Sequence, residues 1–121
     1  MVNLIGTKSV CKVKTPALPA VDAFTLAAGS DALSVAAGNA DTATVTVSRA
    51  VAAGETATVT VAKKSGTGIN VPTAALAGTT VTVTGDGTNA FVQNDVYTVT
   101  VTISAPGKSP VTQTIDLTVG A

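Results

Sequence analysis

The sequence predicts an all-β protein, a sandwich of about seven short antiparallel strands preceded by an extended N-terminal arm. Three features of the 121 residues carry this expectation. Valine and threonine alternate with a period of two in several segments, which puts valine on one face of a strand and threonine on the other. Groups rich in Gly, Asp, Asn and Pro separate these segments at intervals of roughly eight to fourteen residues. No stretch sustains apolar residues at helical spacing.

Residues 1–20 read as an arm and linker, and residues 21–121 as the sandwich. Within the arm, residues 9–14 alternate weakly and form a candidate added strand. Pro16 and Pro19 lack the amide that strand pairing needs and favour an extended linker. The body opens with two weak strand candidates at 23–26 and 33–36. In the first strong one, Ala43, Val45 and Val47 alternate with Thr42, Thr44 and Thr46. Ala57, Val59 and Val61 repeat the pattern after the spacer 49–55. Val81 and Val83 define another strand, and Val99, Val101 and Ile103 a further one. The last runs over 111–119, and Ala105-Pro106-Gly107-Lys108-Ser109-Pro110 before it is hairpin-loop chemistry. The expected inward set is Val45, Val47, Val59, Val61, Val81, Val83, Val99, Val101, Ile115 and Leu117.

Composition limits what such a body can do. Hydrophobic residues make up 45%, yet there is no Trp, one Tyr and two Phe. The core is therefore expected to rest on many modest contacts between small branched side chains. Seven basic residues balance seven acidic ones, which gives no general attraction to nucleic acid or anionic membrane. The balance is uneven along the chain: Lys8, Lys12 and Lys14 precede the first acid, Asp22. Cys11 is the single cysteine and excludes an intrachain disulfide. The first ten residues lack the basic-then-apolar pattern of a signal peptide, and the polar Lys8-Ser9 before Cys11 does not suit lipoprotein cleavage. No run approaches the roughly 18 apolar residues of a spanning helix. Synthesis and folding in the cytoplasm are expected.

Catalytic groups are scarce. The chain has no histidine, and its one cysteine has no imidazole partner. The acids are scattered, mostly at predicted turns, so no catalytic, metal or cofactor site is expected and the protein is not expected to be an enzyme. Gly85-Asp86-Gly87-Thr88-Asn89 has too few ligands for a calcium loop and reads as a tight hairpin or loop. Lys63-Lys64-Ser65-Gly66-Thr67-Gly68 holds the residue types of a phosphate loop in scrambled order, and reads as a charged exposed loop guarding a strand end.

Two stretches carry a family resemblance. Leu33-Ser-Val-Ala-Ala-Gly-Asn-Ala-Asp-Thr-Ala-Thr-Val-Thr-Val-Ser48 resembles the opening strands of bacterial and tailed-phage immunoglobulin-like (Big-type) domains, where a strand enters a glycine turn and returns as alternating Thr and Val. Asn94-Asp95-Val96-Tyr97-Thr98-Val99-Thr100-Val101 resembles the start of the F strand, whose tyrosine bonds back to upstream backbone. The resemblance covers residues 22–120. It implies an immunoglobulin-like β-sandwich of about seven strands in which Tyr97 and Asp95 are structural. The paired cysteines and core Trp of antibody domains are missing, as they commonly are in the phage and bacterial modules.

The function implied is a non-enzymatic structural protein, a phage virion protein that decorates or cements the capsid. Its partner would be the major capsid protein or another virion protein, with a homo-oligomer as a second form of association. Neither nucleic acid nor membrane is an expected partner. The arm residues Lys8, Val10, Lys12, Val13 and Lys14 are the candidate partner-binding set, and the location is the virion, assembled in the host cytoplasm. Two other functions fit the same body. One is a module of a bacterial surface adhesin or fibre, for which a secretion signal is expected. The other is a carbohydrate-binding module, for which only Tyr97, Phe24 and Phe91 offer a stacking face.

Overall fold

A computed structural model describes residues 18–121, and among them the chain is all β with no helix. Seven strands follow in order: β1 (Leu26–Ala28), β2 (Thr42–Val47), β3 (Thr56–Ser65), β4 (Thr73–Ala77), β5 (Thr80–Thr84), β6 (Val96–Ser104) and β7 (Val111–Thr118). They make two antiparallel sheets, β1-β2-β5-β4 and β3-β6-β7, with the core between them.

Period-two patterning explains which faces meet. In β2 and β5, Ala43 pairs with Val83 and Val45 with Val81, and all four are buried. In β6, Tyr97, Val99, Val101 and Ile103 are buried, while Thr98, Thr100 and Thr102 between them stay half-exposed on the outer face. β3 and β7 flank β6, so Val61 and Ile115 stand on either side of Val99. These two strands are the edges of a three-stranded sheet. Their inward residues Val59, Val61 and Ile115 are accordingly half-buried, whereas those of β6 are fully enclosed. Each fully buried valine contributes about 1.5–3 kcal/mol of transfer free energy, so the core is a sum of many small terms. Phe24, Leu33, Phe91 and Val119 close it from the connecting segments.

Three elements differ from the sequence reading. Segment 33–36 makes only an isolated parallel bridge, Ser34 to Gly120. Local bonds take its backbone instead: the Ser34 amide donates to Asp41 Oδ2 at 2.7 Å, and the Ala37 amide to Ser34 Oγ at 3.2 Å. Leu33 still enters the core. The first strand begins at Leu26, three residues later than expected. β4, with the sequence Thr-Ala-Ala-Leu-Ala, has little strand propensity. A two-residue turn, Gly78-Thr79, folds it back onto β5, with Gly78 at a φ of 60° as the first position of a type II′ turn requires.

The two near-identical Thr/Val repeats lie in β2 and β3, and these are not paired with each other. They belong to different sheets. Likewise Gly85 to Asn89 is no hairpin. It lies in the crossing from β5 in one sheet to β6 in the other.

Candidate functional site

Strand direction sorts the connections into two poles. The N-terminal pole gathers the incoming segment before β1, the β2–β3 connection, the Gly78-Thr79 turn and the β6–β7 hairpin. The C-terminal pole gathers the β1–β2, β3–β4 and β5–β6 connections with Val119 to Ala121.

At the N-terminal pole the incoming chain is fastened in two places. The Val21 amide donates to the Ser109 carbonyl at 3.1 Å, and the Ser109 amide donates to the Pro19 carbonyl at 2.9 Å. Val21 is buried, while Leu18, Pro19 and Ala20 are exposed. Next, Arg49 donates from Nε and Nη2 to the Asp22 carbonyl at 3.2 and 2.8 Å, and grips Glu55 through both carboxylate oxygens at 2.8 and 3.1 Å. The Ala52 amide completes the set on Glu55 Oε1 at 2.8 Å. The guanidinium holds the Glu55 carboxyl below its ordinary range. Sequence reasoning passed over Arg49, although one signal was present: it is the only arginine in the chain. Its planar fork of donors grips both oxygens of one carboxylate while also serving a carbonyl, a bidentate geometry that a lysine ammonium does not offer.

At the C-terminal pole lie the two structural residues singled out from the sequence. Asp95 is buried and sits where β6 begins. Its Oδ1 accepts from the Thr67 amide at 3.1 Å, and its Oδ2 accepts from the Gly68 amide at 2.8 Å with Lys63 Nζ 3.1 Å away. Lys63 also donates to the Gly68 carbonyl. The segment with scrambled phosphate-loop composition therefore does cradle an anion, and that anion is the chain's own carboxylate. Gly66 and Gly68 are required by this approach, since a Cβ on either would overlap an Asp95 carboxylate oxygen.

Tyr97 is wholly buried. Its ring meets Phe91 edge to face with centroids 6.0 Å apart, and its hydroxyl donates to the Asn70 carbonyl at 3.1 Å. Burial, aided by the charge of Asp95, raises the phenol above its ordinary pKa and keeps it a donor. Asn70 is itself buried. Its amide donates to the carbonyls of Asn39 (3.0 Å) and Asn89 (2.6 Å), and its Oδ1 accepts from the Asp86 amide at 3.0 Å. Asp86 accepts from the amides of Val71, Thr88 and Asn89 and from the Asn89 side chain, at 2.7 to 3.0 Å. One connected set of polar bonds thus ties together all three connections of this pole. The Asp86 carboxylate is already saturated with donors, which drives its pKa far below the ordinary range. Among the described residues no group of three or more His, Cys, Asp or Glu side chains is placed to hold a metal ion.

A pH profile of stability follows from these carboxylates. Asp86, held by backbone amides, Glu55, held by Arg49, and Asp116, held by Lys64 and Thr98, all have lowered pKa values in the folded chain. A lowered folded pKa contributes stability that is complete above the unfolded carboxylate range near pH 4 and is lost as pH falls toward the folded values. With no histidine to titrate between pH 5 and 8, the melting temperature should be flat there and decline below about pH 4. Calorimetry from pH 8 to pH 2 checks this, and a melting temperature unchanged down to pH 2 would contradict it.

Apolar side chains crown the same pole. Ile69 and Val71 are each 69% exposed, and Val35 and Val92 rim a hollow of about 500 Å³ beside Phe91 and Ala121. Ile69 and Val71 carry a sequence signal of their own, as two apolar residues between a glycine and a proline. The arm residues Lys8, Val10, Lys12, Val13 and Lys14 lie outside the described residues. Compared with models of known protein families, with curated proteins and with solved structures, the chain matches none.

Proposed function

We propose that the chain is an immunoglobulin-like, non-enzymatic structural module, a tailed-phage virion protein that decorates the capsid through its N-terminal arm. The observation that carries the attachment is the fastening at the N-terminal pole. Pro19 and Val21 bond to Ser109, and Arg49 holds the Asp22 carbonyl, so the chain before Leu18 joins the body at a braced point. A brace of this kind suits a segment that transmits load between the body and a partner.

The immunoglobulin-like assignment is supported by strand order. Numbered in sequence, β1-β2-β5-β4 and β3-β6-β7 correspond to the A-B-E-D and C-F-G sheets of the constant-type domain. Tyr97, second residue of the sixth strand, occupies the place of the corner tyrosine. Its acceptor differs, however: Asn70 lies 27 residues upstream in the β3–β4 connection, whereas a tyrosine corner bonds only a few residues back. An arm that orders on a repeating lattice covers much surface with few residues, and three lysines free of sequence-adjacent acids suit an acidic capsid surface. The bacterial cell surface, as part of an adhesin or fibre, is the other location this architecture serves.

The test is co-sedimentation of the full chain with tailed-phage capsids stripped of their decoration proteins. The unsubstituted chain should pellet with capsids, less so as salt rises. Reversing Lys8, Lys12 and Lys14 to Glu should weaken binding by about tenfold or more. Failure of the unsubstituted chain to pellet removes the capsid assignment. Undiminished binding by the reversed chain moves the anchor from the arm lysines to the body.

A further inference from the structure

We infer that β4 is a self-association edge, on which a second copy of this chain adds its own β4 antiparallel to form a twofold dimer. This does not depend on capsid attachment.

Among the described residues β4 pairs only with β5, so one row of its backbone amides and carbonyls faces outward. A bare edge is a template for another strand unless something blunts it. Each of the other three edges is either shorter or carries charge. β1 is three residues long. β3 carries Lys63 and Lys64, and β7 carries Asp116, which Lys64 meets at 2.6 Å and Thr98 bonds at 2.8 Å. β4 has five residues, no charge, and alternates exposed with half-buried positions.

Its inner side chains are also left incomplete. Ala74 and Leu76 line a cleft of about 460 Å³ between the sheets, with Val51, Ala57 and Val59 from the β2–β3 connection and β3 opposite. All five are apolar and half-exposed. A strand laid beside β4 would extend the four-stranded sheet over this opening.

The sequence of β4 fits itself as that strand. An antiparallel pair centred on Ala75 sets Leu76 of each copy opposite Ala74 of the other, large against small on the cleft side. Thr73 then faces Ala77 on the outer side, and Ala75 faces its own copy. No like charges meet anywhere along the pair, and the chain as a whole is neutral. The same patch serves both copies, as a closed twofold interface requires. Five paired residues and a small cleft fall below a standard interface, so the dimer should be weak and in concentration-dependent exchange with the monomer.

Sedimentation equilibrium of the full chain over a concentration series, read beside hydrogen exchange, tests this. The expected result is a monomer–dimer equilibrium, with amide protection at Thr73–Ala77 rising with concentration. Ala75 is exposed, so Ala75→Lys should fold normally and weaken the dimer by about tenfold or more, because two ammonium groups then meet on the twofold axis. Ala75→Asp should do the same, and mixing the two variants should restore dimers. Ala27→Lys, on the short opposite edge, should leave association unchanged. A chain that stays monomeric throughout overturns the inference. So does a dimer indifferent to Ala75→Lys, or a mixture of the charged variants that does not recover. Should a charged variant fail to fold, the exchange data on the unsubstituted chain decide: dimers without concentration-dependent protection at Thr73–Ala77 place the contact elsewhere.

Discussion

Val99→Asp is expected to leave no cooperative melting transition. Val99 is fully buried in the central strand of the three-stranded sheet, with Val61 and Ile115 paired on either side of it. A carboxylate there meets apolar neighbours on both sides. It escapes the cost of a buried charge only by taking up a proton, which at pH 7 costs about 4 kcal/mol for a group of ordinary pKa near 3.9. The neutral acid still lacks partners, at about 1–3 kcal/mol, and the valine's own transfer free energy of about 1.5–3 kcal/mol is lost. Together these match the whole stability of a domain this size, about 5–15 kcal/mol. Thr100→Asp, one residue on and facing outward, is the control and should melt within a few degrees of the unsubstituted chain. A soluble Val99→Asp chain with a sharp thermal transition would mean that β6 presents its other face to the core.

Asp95→Ala should cost about 2–4 kcal/mol, since a buried donor left without its acceptor costs about 1–3 kcal/mol. The substitution strips the acceptors from the Thr67 and Gly68 amides and leaves Lys63 without its carboxylate. Asp95→Asn should cost less, since one amide oxygen can still accept a backbone bond. Gly66→Ala should approach the cost of Asp95→Ala, because the added methyl overlaps the carboxylate and Gly66 also holds a φ of 109° that L-residues avoid. Urea denaturation of the four chains gives the order directly. If Asp95→Ala lost less than about 1 kcal/mol, the small figure typical of an exposed ion pair, the carboxylate would not be organising the β3–β4 connection.

Much of the sandwich is legible in local pattern. Alternation of valine and threonine placed β2, β3, β5, β6 and β7 and chose their inward faces, because the side-chain period of a strand is a property of the strand alone and needs no knowledge of its neighbours. The turn chemistry of Ala105 to Pro110 is equally local, and there the hairpin closes with Ile103 opposite Val111. Pairing is a different kind of quantity. β2 and β3 repeat the same residues and are nearly interchangeable as partners, so nothing in either says that they belong to opposite sheets. β4 is rich in the helix formers Ala and Leu and becomes a strand only because the tight turn at Gly78 returns the chain along it as β5. The polar bonds at both poles lie further still from the sequence pattern. Tyr97 reaches Asn70 and Arg49 reaches Asp22, each across 27 residues of chain, and Asp95 becomes the anchor of Gly66 to Gly68 only when β3 and β6 lie side by side. Hydrophobic period is set by each strand's own geometry, and the sequence determined it. Strand partners and long-range polar contacts depend on which backbones the collapsed core brings together, and only the tertiary structure decided them.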